Sequence, residues 1–577
     1  DAGRWNSFDD PQRQDVMPTG NTDWLKTLFG NSFTHEHSLS VNGGTDKIQY
    51  YLSANYLDQG GLLKFGDDNK QRYSFTAKIN ADLTKWLKIS YSMRFNRTDY
   101  EAPSFAGGDI KSNVFYFDVC RYWPVIPVVD PNGFYTVESK IYQLTEGGRY
   151  KSQKDVMAHQ LAFIVEPIKD WKINVELNYR SNYNFDHTDY QTVYGYDVSK
   201  NPYIIANQTS SVTEYAYKSN FFNPNIFTEY GKSLESGHNF KVMLGFQSEL
   251  FKQRDITASQ DGIMSEVATL NTTQTNAQNR GGYSEWATAG FFGRVNYDWK
   301  ERYLFTFSLR HEGSSRFGEN HKWGNFPAVS VGWRISDEKF MKGLSWIDDL
   351  KVRYDYGVTG NQEIGNYNSL ATYRAFGWYQ YNGNRFHVWG PSKNTNSELR
   401  WEKGHNQNVG LDFSLFSHKV TGSFNYFHRK QSDLLGDYSV PVPPNLFSTI
   451  YTNVGTLRNT GFELDVTVNA VRTKDFTYSF TLVGATNNNK FVSFSNDIYK
   501  GQKYYSTCSM ANPNNPGYLQ RIEEGERIGN YFTYRYAGVD KKGDWLIYDK
   551  KGNVIPVAQG TEEDKSVTGN GLPKFTG

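Results

Sequence analysis

The sequence predicts an all-β protein, a large transmembrane antiparallel β-barrel, and three observations point there. Apolar and polar residues alternate with a period of two through many segments of about ten residues, the length that crosses a bilayer at a tilt. The connections between these segments alternate between short and long. The chain is rich in aromatic residues yet polar, with no run of about 18 apolar residues that could form a spanning helix.

Composition narrows the classes further. Aromatic residues are 16% of 577 and glycines number 51, while hydrophobic residues reach only 38% and charged ones 21%. Mean hydropathy is −0.67. Disordered chains are poor in aromatics, so disorder is excluded. A net charge of +1 offers no electrostatic footprint for nucleic acid. Cys120 and Cys508 are too few and too far apart for a structural metal site.

The alternation is clear in 301–310, where Tyr303, Phe305, Phe307 and Leu309 are separated by residues that end in Ser308 and Arg310. It recurs in Leu87, Ile89, Tyr91, Met93 and Phe95, in Val329, Val331 and Trp333, in Leu350, Val352, Tyr354 and Tyr356, and in Phe462, Leu464, Val466 and Val468. Successive strand side chains point to opposite faces, so each segment has one apolar and one polar face. A soluble sandwich would show the same pattern with its apolar faces packed together. Segment length favours the membrane, because globular strands average about five or six residues.

In order, about sixteen strands are expected near 35–42, 47–57, 70–82, 86–97, 155–165, 171–183, 213–230, 238–255, 283–299, 301–313, 325–336, 349–358, 404–415, 418–430, 459–469 and 474–487. Short connections fall at 43–46, 83–85, 166–170, around Lys300, at 416–417 and at 470–473, and long ones at 98–154, 184–212, 256–282, 359–403 and 431–458. Outer-membrane barrels have this layout, with short periplasmic turns and long extracellular loops. Trp86, Trp171, Trp299 and Trp346 sit beside turns of one rim, as an interfacial aromatic girdle requires. Residues 1–34 then read as an outer loop after an absent first strand, 35–487 as the wall, and 488–577 as a large outer loop. Parity asks for an upward strand before 35–42 and a downward one after 569–577 (GNGLPKFTG), so an interior segment of a longer protein is expected.

Several stretches resemble one family. They include 35–60 (HEHSLSVNGGTDKIQYYLSANYLDQG), 72–89 (RYSFTAKINADLTKWLKI), 290–337, 349–366 (DLKVRYDYGVTGNQEIGN), 398–435 and 453–464, with SSRFG and YGVTGNQ the most distinctive strings. They are similar to the barrel portion of SusC/RagA-type TonB-dependent transporters of the Bacteroidota outer membrane. The resemblance implies a barrel of about 22 strands in the full protein, of which about 16 fall in this segment. It also implies an N-terminal plug, a TonB box that engages the TonB–ExbB–ExbD complex, and a SusD-like surface lipoprotein acting as a lid. Plug and TonB box have no counterpart in this sequence, so TonB dependence rests on the resemblance alone.

Candidate functional residues lie mostly in the long loops. Residues 373–390 gather Tyr373, Phe376, Trp378, Tyr379, Tyr381, Phe386, His387 and Trp389, and loops this long are uncommon unless functional. Flat aromatic faces can stack on sugars or anchor a protein interface. Mutual packing that stiffens the loop is the leading reading, lid docking the second and ligand contact the third. Tyr122 and Trp123 pose the same choice in another loop. Arg294, Asp298, Arg310, Arg353, Asp355 and Asp465 fall on polar faces and would line the lumen, where lining a wet interior and docking a plug is favoured over guiding a substrate. His35 and His37 share a strand face, but two ligands do not make a catalytic metal site. The segments 540–544 (DKKGD) and 549–553 (DKKGN) read as tight turns in an outer hairpin. They lack EF-hand spacing, which leaves only incidental Ca²⁺ binding open and no cofactor expected.

No G-x-S-x-G, H-E-x-x-H or Walker A string occurs, so no enzyme is expected. The reading is active import of a bulky nutrient, an oligosaccharide first, through a lidded, TonB-energised barrel. Oligopeptide import within the same family, a passive porin, a barrel-embedded enzyme and a soluble glycan-binding sandwich are the alternatives.

Overall fold

The computed structural model describes residues 20–106, 114–130, 132–197, 199–494, 503–509 and 518–568. Residues 1–19 of the expected outer loop and the segment 569–577 lie outside the described residues. The chain divides into two compact units, one of 1–226 with 247–286, the other of 227–246 with 287–577.

The first unit is a meander of antiparallel strands: β1 (Thr34–Gly44), β2 (Ile48–Gly60), β3 (Asn69–Asp82), β4 (Leu87–Pro103), β5 (Arg149–Ile168) and β6 (Trp171–Tyr190). Register keeps the apolar faces together, with Phe75 opposite Ala54 on one side and Phe95 on the other. The β1–β2 turn is held by Thr45, whose Oγ1 accepts from the N–H groups of Lys47 and Ile48. A small hairpin, β7 (Val193–Tyr196) and β8 (Pro202–Ala206), follows β6. The connection from β4 to β5 carries α2 (Val114–Val119) and α3 (Ile141–Thr145), which with α1 (Trp24–Leu28) bury Trp24, Leu28, Phe115, Val119, Ile126, Ile141 and Leu144 in one cluster. Helix α1 is only five residues long and is started by Asp23, whose Oδ1 accepts from the Lys26 N–H at 3.1 Å.

Strands β9 (Ser211–Ser233), β10 (His238–Ile263) and β11 (Thr273–Trp299) contribute to both units. The second unit continues through β12 (Tyr303–Ser314), β13 (Trp323–Arg334) and β14 (Ile347–Asn361). After the separate hairpin β15 (Tyr373–Tyr381) and β16 (Asn384–Pro391) come β17 (Glu402–Leu415), β18 (Val420–Ser439), β19 (Thr449–Arg472), β20 (Thr477–Ala485) and β21 (Asn488–Phe494). Each wall strand from β11 to β19 pairs antiparallel with the next, β14 with β17 across the hairpin. Short turns use left-handed backbone at ordinary residues, Lys300 and Glu301 in one and Phe416 to His418 in another. Side chains stabilise them: Asp298 Oδ2 accepts from the Glu301 N–H, and Asp348 Oδ2 from the His418 N–H at 2.8 Å.

Two expectations need correction. Many strands are far longer than ten residues, with β5 and β6 at 20, β10 at 26 and β11 at 27. Much of what reads as long loop at 256–282 and 431–458 is therefore strand. Beyond the apolar stripe both faces are polar, so the hydrophobic alternation stops while the backbone ladder continues. The wall pairing also passes 487, because β21 pairs with 455–460 of β19 while β20 pairs with 463–472. Thr486 bridges the two, its N–H donating to Phe462 O at 2.8 Å. The asparagine-rich 487–489 disguised this continuation as loop.

Residues 503–509 and 518–568 hold short strands: β22 (Tyr504–Ser509), β23 (Tyr518–Glu523), β24 (Tyr531–Val539), β25 (Trp545–Tyr548), β26 (Val554–Pro556) and β27 (Lys565–Thr568). The turns 540–544 and 549–553 join β24 to β25 and β25 to β26. In each, the leading aspartate accepts from two backbone N–H groups, Asp540 from Lys542 and Asp544, Asp549 from Lys551 and Asn553. These carboxylates are occupied by their own turns.

The alternating apolar faces of the wall are not packed under a second layer. Phe305, Phe307 and Leu309 are 39–41% exposed, and Val409, Phe424, Phe462, Phe480 and Leu482 are exposed with them. The intervening Thr306, Ser308 and Arg310 are partly buried. A continuous exposed apolar stripe of this kind suits hydrocarbon, not water.

Candidate functional site

The aromatic segment expected within one long outer loop is a hairpin. Asn382 and Gly383 both take positive φ (50° and 79°), the geometry of a two-residue type I′ turn. Pairing runs from Tyr381 with Asn384 to Tyr373 with Pro391, with a bulge at Phe376. The Asn-Gly pair between two aromatic-rich runs is the sequence signal for this turn, and it was legible at 382–383.

Register sorts the aromatics onto two faces. Trp378 opposes His387, their rings 3.8 Å apart, and Trp389 lies two residues along on that face. Tyr379 opposes Phe386, and Tyr381 continues the other face with its ring 6.4 Å from Tyr379. Trp378, Tyr379, Tyr381, Phe386 and Trp389 are 52–66% exposed. Mutual packing therefore covers only part of each ring, and both faces remain open to a partner.

The hairpin stands on a folded base. Lys393 Nζ donates to Tyr367 O at 2.7 Å and to Asn368 Oδ1, and burial lowers its pKa from the usual lysine value. Asn394 and Asn396 donate to Phe447 O, Thr449 O and Tyr451 O, stapling 394–396 to the start of β19 and the residues before it. Below them Phe317, Phe326, Val358, Ile364, Leu399 and Trp401 form a buried cluster. Sequence reasoning missed this base, although its parts are the SSRFG and YGVTGNQ strings. Arg316 donates to Asn366 Oδ1 at 2.9 Å and Gln362 O at 3.0 Å, and Phe317 is packed against Trp401. Gly318 is required by close approach, since a Cβ there would sit 1.7 Å from Ser397 O.

Tyr122 and Trp123 belong to the first unit and the hairpin to the second. Tyr122 packs edge-on against Trp24 at 5.7 Å, at the margin of the helical cluster. Burial raises the phenol pKa of Tyr122, and that of neighbouring Tyr116 to about 12. The ring of Trp123 is 59% exposed while its carbonyl accepts from Trp24 Nε1 at 2.9 Å. Tyr122 thus serves the loop core, and only Trp123 presents a free ring face.

The predicted lumen residues share the polar face of the second unit. Arg353 is the centre of a network, reaching Asp412 and Asp355 at 3.2 Å and donating to Asn425. Asp355 also accepts from Ser330. Arg310 pairs with Glu312 and lies over the Phe292 ring. Asp298 accepts from Asn239 Nδ2 at 2.8 Å and caps the turn that follows. Arg294 is exposed opposite Ser308, and Asp465 is placed opposite Ser423. The pairings described for Arg353, Arg310 and Asp298 each join groups of this same unit.

Comparison with known proteins places this architecture. The family model described as TonB dependent receptor-like, beta-barrel matches residues 129–538. TonB-dependent receptor P39 of Formosa agariphila is 30% identical over 522 residues, spanning 87% of this chain and 46% of that protein. TonB-dependent receptor SusC of Bacteroides thetaiotaomicron is 28% identical over 590 residues, spanning 93% of this chain and 57% of SusC. The chain spans about half the length of the curated relatives it matches. Among solved structures, the RagAB peptide importer in its 'closed-closed' state shares the fold with a TM-score of 0.81 at 24% identity, over 98% of this chain and 63% of that one. The chain belongs to the TonB-dependent receptor-like β-barrel family, in its SusC/RagA branch, and is a β-barrel of the outer membrane.

Proposed function

We propose that this chain is the barrel of an active importer for a bulky nutrient, an oligosaccharide, and that it works with a SusD-like lipoprotein lid and is energised through TonB. The observation that carries the sugar assignment is the exposed aromatic hairpin. Trp378 and Trp389 on one face, and Tyr379, Tyr381 and Phe386 on the other, offer flat rings on a rigid two-stranded support. Rings of this kind stack on the C–H faces of sugars and keep their edges free for hydroxyls. Trp123 offers a further open ring. The polar wall face, with Arg310, Arg353, Asp355 and Asp465, gives a hydrated route on which no bond is made or broken.

A second reading is import of oligopeptides. It is favoured by the fold shared with RagAB, a protein described as a peptide importer. Isothermal calorimetry of the purified barrel with its lid, against separate glycan and peptide mixtures, tests the choice. The sugar reading expects glycan binding that weakens at least tenfold in a Trp378→Ala/Trp389→Ala variant. Tight binding of peptides alone would overturn it.

A further inference from the structure

The outward face of β17–β19 and β21 changes character along the strands. Val409, Phe424, Tyr426 and Phe462 form exposed apolar rungs. One rung further toward the long-loop ends come Gln407, His428, Thr460 and Asn488, aligned across the four strands. The next rung is His405, Lys430, Arg458 and Lys490, each directly opposite the one before. Lys403 follows two residues beyond His405 on the same face. Neighbouring strands are about 4.8 Å apart, so three spacings put this rung across roughly 14 Å, with cations at Lys430, Arg458 and Lys490 and with His405 Nδ1 3.1 Å from the Tyr356 hydroxyl.

Among the described residues, neither Lys403, Lys430, Arg458 nor Lys490 joins an ion pair, whereas on the opposite wall face Arg353 and Arg310 are paired with carboxylates. The segment beside Lys490 carries Glu523, Glu524 and Glu526, none of them in an ion pair with Lys490, and Glu524 Oε1 accepts from the Phe494 N–H at 2.8 Å. In the first unit the corresponding outward rim is self-neutralised, through Arg97 with Asp155, and Arg149 and Lys151 with Glu101. Four cations without an ion pair, Lys403, Lys430, Arg458 and Lys490, one polar rung beyond a lipid-facing apolar stripe at the long-loop rim, lie at the level of the outer-leaflet headgroups.

We propose that this row, His405–Lys430–Arg458–Lys490 with Lys403, is a docking site for the phosphorylated headgroup of an outer-leaflet lipid. The acyl chains of that lipid would lie along Val409, Phe424, Tyr426 and Phe462, and its phosphate would accept charge-assisted hydrogen bonds from the lysines and Arg458. Charge complementarity and continuity with the lipid-facing stripe fix the occupant as a lipid rather than a soluble anion. The proposal rests on the facing of the wall and is independent of what the barrel carries.

Native mass spectrometry tests it on the protein carrying this chain, extracted from outer membranes and exchanged into micelles containing phosphorylated or dephosphorylated lipid A. The wild-type protein is expected to retain the phosphorylated form at least tenfold better than the dephosphorylated one. A Lys430→Gln/Arg458→Gln/Lys490→Gln variant loses that preference, and Lys419→Gln, on the short-turn rim, keeps it. Heat-modifiable gel migration reports folding of each variant, and should the triple variant not fold, Lys430→Gln alone is expected to weaken retention severalfold. Equal retention of both lipid forms by the wild type, or an unchanged preference in the folded variants, would overturn the proposal. So would displacement of the lipid by millimolar inorganic phosphate, which would assign the row to a free anion.

Discussion

At the scale of the residue, alternation along β12 carries the assignment of faces. Phe305 and Phe307 are exposed on one side, and Ser308 sits on the other, opposite Arg294. Arginine in place of Phe305 or Phe307 is expected to cost roughly 2–4 kcal/mol if the site lies near the bilayer midplane. Arginine in place of Ser308 should cost less than about 1 kcal/mol, because that side chain enters a wet surface. Urea unfolding of the barrel from lipid vesicles measures both, and equal losses would contradict the facing. Asp549 supplies a second residue-scale test. A hydrogen bond from the Asn553 side chain, followed by backbone N–H groups, lowers its pKa below 3.8. A depressed carboxylate contributes to the turn above its unfolded value, and the contribution is lost as pH falls through the folded one. Carboxyl NMR should find Asp549 titrating below 3.8, and Asn553→Ala should move it back up.

At the scale of the element, the aromatic hairpin depends on its turn and its base. Gly383 lies at φ 79°, a left-handed conformation that a β-branched residue resists by about 1–2 kcal/mol. Gly383→Val should therefore loosen the hairpin and speed its cleavage by protease, while leaving the barrel's melting temperature unchanged. Phe317 is almost wholly buried beside Trp401, so Phe317→Ala should cost about 3–5 kcal/mol and be read as a lower unfolding midpoint in urea. The hairpin and its base differed in how far the sequence disclosed them. The Asn-Gly turn was readable locally, but the base joins 316–318 to 362–369 and 399–401, contacts that no local period encodes. Tyr122 shows the same limit. Loop packing was its leading reading from sequence, but the partner it packs against, Trp24, lies nearly a hundred residues away and is set only by the fold. The strand ends were hidden for a different reason. At 98–103, 184–190 and 256–263 the ladder runs on while both faces carry polar groups, so hydrogen bonding persists where the hydrophobic signal has stopped.

At the scale of the whole molecule, the period-two pattern was sufficient for the class because a membrane barrel writes one apolar face on every wall strand. Register places Arg294, Asp298, Arg310, Arg353, Asp355 and Asp465 on the face opposite the apolar stripe. Partner choice within that face was not legible, since Arg353 meets Asp412 only through the pairing of β14 with β17 across the hairpin between them. The central claim is that the apolar stripe meets acyl chains and the polar stripe meets water. Spin-label accessibility along β12 tests it most directly. With Cys120 and Cys508 replaced by serine, single cysteines at 303 to 310 would be labelled in the reconstituted barrel and relaxed by oxygen, which concentrates in lipid, and by a water-soluble nickel chelate. The account predicts that positions 303, 305, 307 and 309 respond to oxygen and 304, 306, 308 and 310 to nickel, in strict alternation. A stripe at 305, 307 and 309 shielded from oxygen would place those side chains against protein and contradict the account.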